Sequence, residues 1–517
     1  ATQQQQPAQK TEPQGQPQNQ AAPATGQQQT GQQQPNPATA TPAQGKGTQT
    51  PGNAAAQQNQ QATAPAGGEQ LSPQELERRK KIAENPAASN QPVILPVQNG
   101  AAVLDSDKDA ARRGHHQGAP GQGQAGQGQG GQRPAGQGQG QAGQGQVNQG
   151  QANQGQVGQG QAGQAQAPQN QAPPAAYNKT PTSDAEAQRA LGGPQTPPVK
   201  IEAVTSEQGR RLDRRPDFAP PEGVVVPPDS NQGFQGNMGG RIILNIDNNY
   251  VVRHDDTERF VRDGERPIYE QLPRDRYRET IDRPDGERIV TVRNRYGDII
   301  QRSRIDADGR EYVLFYSPEL EDRPDHDDYF RDPGDDLPPM RLRIPLNQYI
   351  IDTETDRQAN YYDFLREPPV EPVERVYSIN EVRYSARIRD KVRRIDLDTI
   401  TFATGSSEIP MSQASTLRGV ADAINQIVRK DPSETFLIEG HTDAVGSPES
   451  NLVLSDQRAE SVARVLSDVY GIPPENLVTQ GYGEQYLKVN TQGPEQENRR
   501  VTIRRVTALV RPVASNQ

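Results

Sequence analysis

Residues 1 to about 235 are written mostly in Gln, Gly, Pro and Ala, with few large apolar side chains. So few large apolar side chains cannot offset a backbone ordering entropy of roughly 1–2 kcal/mol per residue. The stretch reads as a disordered low-complexity region, and the folded part is expected beyond it. Within it a five-residue repeat runs AGQGQ at 142, VNQGQ at 147, ANQGQ at 152, VGQGQ at 157 and AGQAQ at 162, a period that suits neither collagen nor a six-residue β-helix. A Gly-rich coil of roughly 200 residues spans on the order of 80 Å root-mean-square, the length of a long tether.

Two short helices interrupt this region. One is expected near 73–84, where Ser72 caps, Pro73 suits the first turn, Glu75 completes a capping box, Leu71 and Leu76 form a staple and Pro86 stops the run. A smaller one begins at Ser183, with Glu186 three residues on. Between them Asp105, Asp107 and Asp109 have the spacing that opens a calcium loop. The sixth and twelfth positions hold Ala110 and His116 where such a loop needs Gly and Glu, so a solvated acidic turn without metal is expected.

Residues 241–320 change character. RIILNI, YVVR, RIVTVRNR, DIIQRSR and REYVLFY are β-rich runs punctuated by Asp263-Gly264, Asp285-Gly286, Tyr296-Gly297-Asp298 and Asp308-Gly309, which predicts an antiparallel meander. Residues 321–390 are acidic and Pro-rich and read as an extended connector with one strand. The 517 residues carry 56 Lys+Arg against 66 Asp+Glu, and the net charge of -10 argues against nucleic acid as a partner. With no Cys, the sequence holds no disulfide, zinc-thiolate site or catalytic thiol. No run approaches the roughly 18–20 apolar residues of a membrane-spanning helix, and the β runs are too short for an outer-membrane barrel. A chain that starts at Ala1 rather than Met reads as an exported, processed form.

From about 391 to 510 the periodicity becomes that of an α/β (α+β) domain with two helices on one sheet. LDTITF at 397–402 is expected as a strand, and Pro410 opens a helix carrying Leu417, Val420, Ala421, Ile424, Ile427 and Val428. TFLIEG at 435–440 is the next strand, followed by a helix with Leu454, Val462, Val465, Leu466 and Val469 on one face, stopped by Gly471. LVTQGYG at 477–483 and RRVTIRR at 499–505 supply two more strands, giving the order βαβαββ. The chemistry sits where the second strand hands over to the second helix. Asp443 in that loop and Arg458 about one turn into the helix could clamp a zwitterion, the carboxylate taking an ammonium and the guanidinium a carboxylate, while spacing alone slightly favours a salt bridge between them.

The string GHTDxxGxxxxNxxLSxxRAxxV at 440–462, with QGYGE at 480–484 and NRRV at 498–501, resembles the OmpA-like C-terminal domain family, which includes peptidoglycan-associated lipoproteins and the wall-binding part of flagellar stators. The resemblance covers about residues 391–517. It implies a βαβαββ fold that binds peptidoglycan noncovalently through the diaminopimelate of its stem peptides, with Asp443 holding the ammonium and Arg458 the carboxylate. By the same resemblance Thr442, Asn451, Asn498 and Arg499 line the pocket. Many relatives carry Asp or Asn after the first-strand Phe, where this chain has Thr404-Gly405-Ser406. The expected role is a Gram-negative envelope anchor, outer membrane-associated or periplasmic, whose N-terminal region reaches an outer-membrane or envelope protein partner. No cofactor and no catalysis are expected. The alternatives are a structural or adhesive role of the Gln-rich region, or a wall hydrolase built on His441, Asp443, Ser447 and Ser455, which lacks a nucleophile elbow and an HExxH spacing. Deleting residues 1–235 is expected to leave wall binding intact.

Overall fold

The computed structural model describes residues 104–116, 175–189, 201–218, 240–246, 249–262, 264–321 and 330–513, with isolated positions at 74, 78, 81 and 85. The helix expected near 73–84 is therefore described only at those positions, and the five-residue repeat lies outside the described residues.

The meander forms as its turns dictate. Strands β4 (Ile268–Leu272), β5 (Arg276–Asp282), β6 (Arg288–Arg293), β7 (Ile299–Ile305) and β8 (Glu311–Tyr316) pair with their sequence neighbours, all antiparallel. The last three hairpins share one construction. Arg283, Asn294 and Asp306 each donate their N–H to the carbonyl of the residue four positions on, and Gly286, Gly297 and Gly309 close the turns at φ 88°, 83° and 82°, where a side chain would be strained.

Two expectations about this region are corrected. RIILNI and YVVR stand apart as a separate hairpin, β2 (Ile242–Ile246) with β3 (Asn249–Arg253), whose Ile243 and Val252 pack against Leu452 and Val453 of the C-terminal region. Strands β4 and β5 had no apolar alternation to announce them. Their buried charges are paired instead, Arg276 with Glu207 at 2.7 Å and Arg278 with Glu270 at 2.8 Å.

The C-terminal sheet runs β12 (Leu477–Gly481), β11 (Phe436–Gly440), β13 (Val501–Arg505), β10 (Arg394–Asp396), β9 (Ile350–Asp352). β13 lies antiparallel to both of its neighbours, while β11 pairs parallel with β12 and β10 with β9. One face carries Ile395, Phe436, Ile438, Leu477, Val501 and Ile503 against helices Arg418–Lys430 and Pro448–Asp468. The expected first strand at 397–402 is displaced upstream to Arg394–Asp396. The Leu397 N–H makes a last ladder bond to the Val501 carbonyl at 2.9 Å, and Asp398-Thr399 then turns the chain. Ile400 and Phe402 are buried as expected, but in irregular chain rather than in a ladder. On the second helix Leu452 and Val453 turn towards the β2–β3 hairpin, Ala459, Val462, Ala463 and Leu466 face the sheet, and Val469 is half exposed.

Alternation along the strands puts charge on the other face: Arg394 and Asp396, Glu439, Arg504. Arg504 is fully buried there, bonded to Glu439 at 2.7 Å and to the Val392 and Arg389 carbonyls at 2.8 and 3.1 Å. The region read as a connector is what covers this face. Val370 and Tyr377 donate backbone bonds to Lys391 and Leu509, and helices Ile379–Tyr384 and Ala386–Arg389 follow. Charge and proline do not keep this segment extended, because buried cations here meet carboxylates and carbonyls, as Arg387 meets Glu371 and the Pro338 carbonyl and Lys391 meets Glu374 and the Pro372 carbonyl.

Parts of residues 1–235 are folded as well. Helix α1 (Asp105–His116) stands where an acidic turn was expected, helix α2 (Asp184–Arg189) lies beside Arg505 through Asp184 at 2.6 Å, and β1 (Arg210–Leu212) adds a strand to β4. In α2 Ser183 caps the Glu186 N–H, while the Glu186 carboxylate reaches one residue further back, to the Thr182 N–H at 2.7 Å. We label the two long C-terminal helices α3 (Arg418–Lys430) and α4 (Pro448–Asp468).

Candidate ligand site

The loop from β11 to α4 carries Thr442 and Asp443, and Ser447 ends it by accepting the Ser450 N–H as the cap of α4. Glycine sets how closely α4 lies on the sheet. A Cβ on Gly440 would stand 1.8 Å from the Ser455 carbonyl oxygen, and one on Gly481 would stand 2.3 Å from the Asp456 nitrogen. That approach brings Arg458 against the backbone that follows β11.

Arg458 is fully buried. Its Nη1 donates to the His441 carbonyl at 3.2 Å, Nε to that of Ser406 at 3.0 Å and Nη2 to that of Ala403 at 3.4 Å, and the guanidinium lies 4.9 Å from the Phe402 ring centroid. Among the described residues no carboxylate stands within ion-pairing distance of it. Burial, reinforced by the neighbouring Arg499 cation and opposed by Asp443, lowers its pKa to about 10, so it remains a cation at neutral pH. The carbonyls of Ala403 and Ser406, on either side of Thr404-Gly405, thus belong to the site.

The salt bridge that spacing allowed between Asp443 and Arg458 is not formed. Asp443 pairs with Arg499, Oδ2 to Nη1 at 2.7 Å, and the same oxygen accepts the Glu495 N–H at 3.3 Å. Oδ1 is engaged only by the Val445 N–H at 3.4 Å. Thr442 is buried with no hydrogen-bond partner for Oγ1, while its N–H donates to the Gly483 carbonyl at 3.0 Å. Asp443 and Arg499 are thereby brought together, near enough to Arg458 to act on its charge, and Thr442 precedes Asp443 in the chain. Asn451 is turned to the next loop, its Nδ2 donating to Glu484 at 2.7 Å. Asn498 spends its amide on Val489, accepting that N–H and donating to that carbonyl, both at 2.7 Å, so it clamps the loop between β12 and β13.

The residues weighed for hydrolysis are committed elsewhere. Ser455 donates to the Leu452 carbonyl and accepts the Gly483 N–H at 2.8 Å, and Ser447 is a helix cap. Burial and the cations Arg500, Arg394, Lys108 and Arg389 hold the His441 pKa well below its ordinary value, so the ring is neutral; it lies tilted against Tyr482. Reasoning from sequence missed the three carbonyls on Arg458 and the amides on Asp443, because backbone groups have no residue signature.

Residues 401–500 match the family model described as OmpA family, so the resemblance drawn from the GHTD, QGYGE and NRRV segments is borne out over that span. Outer membrane porin F of Pseudomonas aeruginosa is 34% identical over 94 residues, 18% of this chain and 25% of the porin. Peptidoglycan-associated lipoprotein of Pasteurella multocida is 30% identical over 86 residues, 16% of this chain and 57% of the lipoprotein. The crystal structure of the peptidoglycan-associated lipoprotein from Burkholderia pseudomallei is 26% identical, covers 20% of this chain and 87% of that one, and superposes with a TM-score of 0.18. The chain therefore spans between a quarter and three-fifths of the length of these curated relatives. Among the described residues no helix is long and apolar enough to cross a membrane, and no cluster of acids and histidines has the geometry of a metal site.

Proposed function

We propose that this protein grips peptidoglycan noncovalently, its pocket taking the zwitterionic end of diaminopimelate in the stem peptides, and that it serves as an exported anchor at the outer membrane or in the periplasm. The observation that carries the reading is Arg458: a fully buried cation, oriented by three carbonyls and left without a carboxylate. Burying an unpaired guanidinium costs stability, and a ligand carboxylate accepting from its remaining N–H bonds offsets that cost. Asp443 is ready for the other charge. With Oδ2 engaged by Arg499 and the Glu495 N–H, Oδ1, met by the Val445 N–H at 3.4 Å, is the atom we assign to the ammonium. The unpartnered Thr442 hydroxyl supplies a further hydrogen bond, whereas Asn451 and Asn498 act by holding the neighbouring loop. Binding needs no bond to be made or broken. The relative named a peptidoglycan-associated lipoprotein supports the same ligand class.

Within this reading residues 391–510 form the wall-binding domain, and the upstream region meets an outer-membrane or envelope partner. The test is co-sedimentation of the full chain with diaminopimelate-type peptidoglycan. Wild type should pellet, and Asp443→Ala and Arg458→Ala should each weaken binding at least about tenfold, the worth of a lost charge-assisted contact, without release of soluble fragments. Equal pelleting of both variants would sink the proposal.

A further inference from the structure

Helix α1, far upstream in the Gln-rich region, touches the loop that shapes the pocket. Its entry residue Leu104 is fully buried with Met340, Leu342, Tyr349 and Val370. Asp105 is buried on the charged face of the sheet, 3.6 Å from Arg394 and 3.7 Å from Arg504. The Ser106 N–H and hydroxyl both donate to Asp390 Oδ2, at 2.9 and 2.8 Å. So seated, the next turn meets the loop between β12 and β13. Lys108 Nζ donates to the Leu487 carbonyl at 2.7 Å, and the Tyr486 hydroxyl donates to Asp109 Oδ2 at 3.1 Å.

That loop leads to the pocket. Gly483 at its start is bonded to Ser455, and Val489 and Asn498 are clamped together near its end. Arg500 Nη2 donates to the Tyr486 carbonyl at 3.0 Å, and next to Arg500 stands Arg499, the partner of Asp443. Glu495, whose N–H meets the same carboxylate, lies on the loop too. Residues 486 and 487 are the point at which a helix from the N-terminal region holds the segment that presents Asp443.

We propose that α1 is a positioning element of the wall-binding pocket, its Lys108 and Asp109 fixing the 482–499 loop so that Arg499 and the Glu495 amide hold Asp443 in its ligand-ready orientation. Wall affinity then depends on whether the tail is seated, and a pull that lifts α1 loosens the grip. This rests on the diaminopimelate reading of the site. It also reverses the expectation that removing residues 1–235 leaves binding intact.

The test uses the full chain in four forms besides wild type. Leu104→Glu unseats α1, Tyr486→Phe together with Lys108→Ala cuts its contacts with the loop along with the Lys108–Asp105 ion pair at 3.5 Å, Lys108→Arg retains a donor and the charge beside Asp105, and Arg458→Ala disables the clamp. Hydrogen exchange of amides 485–498 is followed without ligand, and affinity by co-sedimentation with diaminopimelate-type peptidoglycan. Leu104→Glu and the double variant should each speed exchange in that window and weaken binding about tenfold, as expected for loss of one charge-assisted contact. Lys108→Arg should stay near wild type, and Arg458→Ala should lose binding with exchange unchanged. Wild-type affinity in both α1 variants, or unchanged exchange at 485–498, overturns the proposal while leaving the clamp standing if Arg458→Ala still fails to bind. A wild type that does not pellet overturns both.

Discussion

Asp107 makes the seating of α1 dependent on pH. Its carboxyl is partly buried near Asp390, and desolvation first, then that like charge, push its pKa up to about 7 against the pull of Arg387. An unseated α1 returns the group to the ordinary value near 4. The difference of about three units corresponds to about 4 kcal/mol against the ionised, seated form, and about 2 kcal/mol after discounting for partial exposure to solvent. The seated state holds a proton that the unseated state gives up, so seating is strongest below about pH 4, weakens as pH rises towards 7 and is flat above. The neighbouring groups on the helix act outside this window. Asp105 is held at about 2 despite its burial, by Lys108, Arg394 and Arg504, and Lys108 is lowered to about 8, chiefly by burial. Native-state hydrogen exchange of the α1 amides, corrected for intrinsic rates, at about pH 5 and about pH 7.5 reads the effect directly. Wild-type protection should fall about tenfold between the two, because about two-thirds of the window, about 1.3 kcal/mol, lies between these pH values. Asp107→Asn should be flat and better protected at the higher pH. Protection that is constant or rises with pH in wild type, or an Asn variant with the same slope, would refute the reasoning.

Arg458→Lys should fold normally but bind peptidoglycan about a hundredfold more weakly, because one ammonium cannot satisfy three carbonyls and a carboxylate as the planar fork does; sedimentation titrations measure it. Gly440→Ala should lower stability by more than about 3 kcal/mol, since the new methyl meets the Ser455 carbonyl at 1.8 Å, and a denaturant melt that matches wild type would contradict the packing. Arg504→Ala should cost about 3–5 kcal/mol, leaving Glu439 buried and unpaired, with part of the loss recovered in the double variant with Glu439→Gln.

What was legible in the sequence is what local pattern encodes. The three Gly turns of the meander, the apolar stripe of α3 and the strand-helix alternation after residue 410 rest on the φ freedom of glycine and on the periods of strand and helix, so they are readable without partners. The pair Asp443 and Arg458 was legible for a different reason: its spacing and flanking residues match a family motif. Reading failed where charge replaced apolarity. Strands β4 and β5 and the covering segment before β10 are rich in Arg, Asp and Glu, and whether such residues are solvated or buried depends on which counter-ions the fold brings to them, as Glu207 to Arg276 and Glu371 to Arg387. The sequence alone therefore determined the three glycine turns and the apolar helix stripe after residue 410, and it singled out Asp443 and Arg458 as candidates. Tertiary structure decided that these two charges stay apart, that Arg499 and backbone carbonyls orient them, and that a helix from the Gln-rich region is seated beside them. Ion pairs and backbone hydrogen bonds are set by proximity in space, which no residue carries on its own.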